Sequence, residues 1–126
     1  MIKNTLVKHL ILIILLFASS CANLEDESIG FKVVAQGAGF TGFYIADGGS
    51  ISAFSESQNV AGTASYEIDL GPIRSLTVSS TSKIGASSIK IMVYRNEFSV
   101  KEVVEDAIAT PTTININYQY KEEESN

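Results

Sequence analysis

The chain holds one cysteine, Cys21, and one histidine, His9, and it has no tryptophan. A thiol does chemistry as thiolate, which a neighbouring base or cation must favour. Here the only imidazole stands upstream, in a stretch with the marks of an export signal. One cysteine cannot bridge within its own chain, so a disulfide could only join two chains. With residues 1–20 set aside, Ser-His-Asp arrangements and histidine-based zinc sites lack their histidine. Carboxylates remain. Glu67 and Asp69 are two apart and share one side of an alternating stretch. Paired acids can hydrolyse glycosides, but they need a cleft and usually a larger scaffold. They read as the outward residues of a strand. Asp47 precedes Gly48-Gly49, yet no second and third oxygen ligand stands after it at calcium-loop spacing. The expectation is a chain that is not an enzyme and takes neither cofactor nor metal.

Gly37-Ala38-Gly39-Phe40-Thr41-Gly42 matches GxGxxG letter for letter and comes after a strand-like stretch. In a dinucleotide fold such glycines let the backbone approach pyrophosphate at a helix N-terminus. The next residues here are Phe43-Tyr44-Ile45-Ala46-Asp47-Gly48-Gly49, a strand and a turn. No helix opens, so the segment reads as a glycine-rich turn between antiparallel strands.

The residues before Cys21 are ordered like an export signal. Lys3, Lys8 and His9 lie at the basic end, residues 10–17 (LILIILLF) are unbroken apolar, and Ala18, Ser19 and Ser20 are small. Eight apolar residues fall well short of the roughly 20 that span a bilayer. Ala18-Ser19-Ser20-Cys21 resembles a bacterial lipobox, with alanine where leucine is more usual three places before the cysteine. The resemblance implies diacylglyceryl transfer to the Cys21 sulfur and cleavage between Ser20 and Cys21. It also implies a bacterial cell membrane or outer membrane as the address, on the periplasmic or cell-surface side. Each buried CH₂ of such a lipid contributes about 0.8 kcal/mol, and two or more chains hold where one only lingers.

Two of the nine basic residues lie in that leader, so the remainder carries all fourteen acids against seven bases. Nucleic-acid binding rests on basic patches that neutralise phosphate, and this balance argues against it. Glu25-Asp26-Glu27 and Glu122-Glu123-Glu124 read as solvated ends. The first run also resembles the surface-export signals of some Bacteroidetes lipoproteins.

Between those ends, short alternating stretches are separated by turn residues. Residues 31–35 open the domain. Residues 41–47 place Phe43 and Ile45 on one face and Tyr44 on the other. Asp47-Gly48-Gly49 signals a hairpin. Residues 50–57 return with Ile51, Ala53 and at times Phe54 to bury. Tyr66, Ile68 and Leu70 alternate with Glu67 and Asp69, and Gly71-Pro72 ends that stretch. Leu76 and Val78 share a face, and residues 81–87 read as a loop. Ile89, Ile91 and Val93 form the next inward set, and Arg95-Asn96-Glu97 makes a turn. Ile114, Ile116, Tyr118 and Tyr120 line the last strand. Residues 99–109 are ambiguous. Ser99 and Glu102 fit a capping box with a helical stripe behind them, whereas Phe98, Val100 and Lys101 continue a hairpin. The strand, to about Val104, is the favoured reading.

The pattern predicts an all-β fold, an antiparallel Ig-like β-sandwich of seven or eight strands after a cleaved signal peptide. The organisation read from it is a leader at 1–20, an acidic tether at 21–29, the sandwich at 30–121 and an acidic tail at 122–126. The order of a glycine-rich turn, an aromatic strand, the hairpin SSIKIMVYRNEFSVKE and a closing tyrosine strand is similar to the small Ig-like β-sandwiches of the mycobacterial MmpS membrane proteins. Those proteins accompany lipid and siderophore exporters. Their paired cysteines, proline-tryptophan element and membrane helix have no counterpart here, so the resemblance implies architecture alone.

Two function classes remain. One is a lipid-anchored cell-envelope module that is non-catalytic and binds or assists an envelope protein. The other is a surface-exposed structural or adhesion lipoprotein. Alternation in residues 89–94 points Lys90, Met92 and Tyr94 away from the core, and the same reasoning points Tyr44 outward. These four form the candidate partner face.

Overall fold

The computed structural model describes residues 27–107 and 111–120. Ser20, Cys21, the rest of the leader and the tail at 122–126 lie outside the described residues. Eight strands run antiparallel: β1 (Ile29–Gln36), β2 (Phe40–Ala46), β3 (Ser52–Glu56), β4 (Thr63–Asp69), β5 (Ser75–Ser82), β6 (Ser88–Arg95), β7 (Phe98–Asp106) and β8 (Thr113–Gln119). They form two four-stranded sheets, β4-β1-β6-β7 and β3-β2-β5-β8, packed face to face as a sandwich. The first strand is central in its sheet. Among the described strands only β2–β3 and β6–β7 are hairpins; the other pairings join strands distant in sequence.

Period-two alternation explains the layers. Ile29, Phe31, Val33 and Ala35 of β1 are fully buried, as are Ile89, Ile91 and Val93 of β6. From the facing sheet come Phe40, Phe54, Leu76, Val78, Ile114 and Ile116. Each large apolar side chain so buried contributes about 1.5–3 kcal/mol. Phe31 lies 5.2 Å from the ring of Tyr44, 5.6 Å from Phe54 and 5.9 Å from Tyr66, joining the two sheets. Phe54 and Tyr66 stack at 4.8 Å and 7° where edge strands β3 and β4 meet.

The turns derive from backbone chemistry. Asn96 and Glu97 both adopt positive φ (50° and 77°), the conformation that a two-residue hairpin loop requires. Asp47 (φ 53°) accepts hydrogen bonds from the backbone N–H of Arg74 at 2.7 Å and of Ser75 at 3.0 Å. These donors hold its carboxyl below the usual carboxylate range.

One open choice is decided and three expectations shift. β7 is a strand as far as Asp106, so the helical alternative for residues 99–109 fails over its described part: pairing with β6 decides it. Thr81 and Ser82, read as loop, belong to β5 through pairing with Thr113 and Phe40. Ile51, just before β3, and Ala53 within it are exposed and Phe54 alone of the three is buried, because one large ring fills the interior at this short edge. The domain also begins earlier than residue 30. Ile29 is fully buried, and Glu27 and Ser28 are bonded to the sandwich.

Candidate contact faces

Three places stand out in the sequence: the glycine motif, the acid pairs and the face around Lys90. The glycine motif is the crossover from β1 to β2. Gly37 has φ +87°, and its N–H donates to Gly62 O at 2.7 Å. A Cβ on Gly42 would clash with Cζ of Phe54 and stand 2.5 Å from the Ser79 carbonyl oxygen. These glycines serve a change of sheet and the close approach of an aromatic ring.

Glu67 and Asp69 point outward from β4, as alternation predicts. Asp69 accepts from the Ser28 hydroxyl and from the Gly71 N–H at 2.9 Å, which holds its carboxyl below the usual range. It fastens the chain's entry to the link after β4. Among the described residues no group of three or more histidines, cysteines and acids comes together as a metal-holding set.

Lys90, Met92 and Tyr94 do share the outer face of the β4-β1-β6-β7 sheet. The register sets Lys32 between Glu67 and Met92, and Met92 opposite Glu102. The Tyr94 hydroxyl donates to Met92 Sδ at 3.2 Å, so the two side chains lie along one another. Beside them is an open groove of about 720 Å³. Gly30 forms its floor between Asp69 and Tyr94, with Lys32 and Glu67 at its rim.

Tyr44 does not belong to this face. It sits on the other sheet and packs inward against Phe31 and Phe54. The alternation along β2 was right and its phase was wrong. Phe40 and Gly42 share the inner side with Tyr44, and it is Phe43 that is exposed, at 39%. Two adjacent aromatics give alternation no means of choosing between them.

Sequence reasoning missed a clamp where the chain enters and leaves the sandwich. Glu27 accepts from Arg95 Nε at 3.0 Å and Nη2 at 2.5 Å, and Nη2 also contacts the Tyr120 hydroxyl at 3.1 Å. The Arg95 guanidinium lies 4.5 Å over the Tyr120 ring. The Tyr120 hydroxyl and Arg95 together lower the Glu27 pKa. The signal was faint, a single acid within an acidic run whose partner lies 68 residues on.

No family model, curated protein or solved structure matches this chain.

Proposed function

We propose that this chain is a lipid-anchored cell-envelope protein whose β-sandwich acts as a non-catalytic binding or accessory module. The observation that carries the reading is the order of basic flank, apolar run and Ala18-Ser19-Ser20-Cys21 ahead of the folded domain. Glu27 is the first described residue and is already clamped to Arg95. Six residues of chain reach at most about 20 Å, so a lipid on Cys21 keeps the sandwich at the membrane. The partner surface in this reading is the outer face bearing Lys90, Met92 and Tyr94. Paired apolar and aromatic side chains there suit contact with another envelope protein.

Cys21→Ala tests the anchor. The wild type should incorporate labelled fatty acid and lose its leader, and the variant should do neither while its sandwich still folds. Label on the variant, or none on the wild type, would overturn the proposal. The surface-exposed adhesion reading draws on Glu25-Asp26-Glu27. Protease treatment of intact cells separates the two, since only outward display leaves the domain open to cleavage.

A further inference from the structure

The two outer faces of the sandwich differ in kind. Sixteen positions point outward from the β4-β1-β6-β7 sheet, and six of them are charged: Lys32, Glu67, Asp69, Lys90, Glu102 and Asp106. On the β3-β2-β5-β8 sheet thirteen positions point outward and none is ionisable. At the share found on the opposite face, about five would be expected there. What stands instead are ten hydroxyls and carboxamides, of which Ser79 is buried, and three apolar side chains, Phe43, Ile45 and Ala53, in cross-strand rows. One row is Ser55, Thr41, Thr81 and Thr113, and another runs Ala53, Phe43, Ser79 and Asn115.

Several of these groups hold one another in place. Thr81 and Thr113 share a hydrogen bond of 2.7 Å between their hydroxyls, and the Thr77 hydroxyl donates to Asn117 Oδ1 at 2.8 Å. Phe43 rises from the middle strands, 39% exposed. A groove of about 700 Å³ crosses one end, with Ile45, Ser75, Thr77, Asn117 and Gln119 among its lining. Lys101 reaches this groove from β7, and its ammonium already donates to the Asn117 carbonyl at 2.5 Å.

We propose that this face binds an uncharged polysaccharide. Hydroxyls and carboxamides both donate and accept, which matches the mixed donors and acceptors of sugar hydroxyls. An exposed aromatic ring offers an apolar surface to the C–H face of a pyranose, and absent charges spare a neutral ligand the cost of desolvating ions. None of the thirteen outward positions offers an anionic polymer a cation, and Lys101 at the groove's end already donates to the Asn117 carbonyl. A second copy is disfavoured on charge, because the chain is strongly acidic and like-charged copies repel. The proposal concerns the opposite sheet from Lys90 and does not depend on the lipid.

The test is retention of the purified full chain, in detergent, on amorphous cellulose, chitin, insoluble mannan and starch, with alginate as the anionic control. The wild type should be held by at least one neutral polymer and pass alginate. Phe43→Ala should weaken that binding about fivefold or more. Asn115→Lys, which puts a charge on an exposed position, should weaken it without lowering the melting temperature. Ser65→Ala, on the opposite sheet, should bind as wild type does. Passage through all four neutral polymers would overturn the proposal, as would equal retention of Asn115→Lys. So would a dimer in sedimentation that Asn115→Lys dissociates, since a second copy would then cover the face.

Discussion

Phe54 and Gly42 make a paired test of how the sandwich is closed. Phe54 is 7% exposed and meets four aromatic neighbours, Phe31, Phe40, Tyr44 and Tyr66, at ring distances of 4.8 to 6.5 Å. Phe54→Ala removes a ring from a site whose rigid neighbours cannot collapse on it, which costs about 3–5 kcal/mol. A domain of this size has only about 5–15 kcal/mol in all, and each kcal/mol moves its melting by about 4–8 °C. The expected fall in melting temperature is about 12–40 °C. Gly42→Ala alone sets a methyl against Phe54 Cζ and 2.5 Å from Ser79 O, overpacking that costs about 1–3 kcal/mol. With the ring gone, the first clash disappears and the second, against backbone, stays. The double variant should therefore be more stable than the sum of the singles predicts, by about 1 kcal/mol. Urea unfolding of all four proteins measures this. Additivity within about 0.3–0.5 kcal/mol would refute the packing described for this corner.

Acid should weaken the fold through carboxylates that accept bonds only when it is folded. Glu27, Asp47 and Asp69 all have lowered pKa values, so their contribution is present above the unfolded carboxylate range near pH 4 and is lost as pH falls through the folded values. Asp47→Asn should make stability less steep in pH below about 4, read by denaturation at a series of pH values; an unchanged slope would count against its hydrogen bonds. Met92→Ser with Tyr94→Ser should leave melting within a few degrees, because these outward side chains stabilise mainly one another, by about 0.2–1 kcal/mol. The same variant should lose capture of envelope proteins, and a large drop in melting would place both side chains in the core.

Alternation made most of the strands legible, together with inward residues in β4, β5, β6 and β8. Arg95-Asn96-Glu97 was readable as a turn through Asn96, since asparagine tolerates positive φ, whereas Glu97 at 77° carries no such sign. What alternation does not encode is phase where both sides are apolar. Phe43-Tyr44 and Ala53-Phe54 each offered two candidates, and the choice is made by rings arriving from the other sheet. Nor does local sequence say that β1 pairs with β4 and β6, more than 25 and more than 50 residues away. The uncharged face was equally invisible: its thirteen positions come from four strands whose adjacency appears only once the pairing is known. The motif at residues 37–42 is a turn only as far as Gly39: Phe40, Thr41 and Gly42 already belong to β2, and the link crosses between sheets rather than closing a hairpin.

The place of β1 has a mechanical consequence. The polypeptide enters the domain through its first strand, and that strand lies between β4 and β6. Each of its eight residues is in register with β6, and seven are also in register with β4. Tension applied through the residues before Glu27, with the far-end loops held, acts along β1. It loads both ladders in shear, so that many hydrogen bonds must give together. An edge strand pulled sideways would unzip one bond at a time. The Arg95 clamp on Glu27 bears the first of that load, ahead of Ile29. A domain drawn on by its own N-terminus is thus gripped where its two ladders share the force.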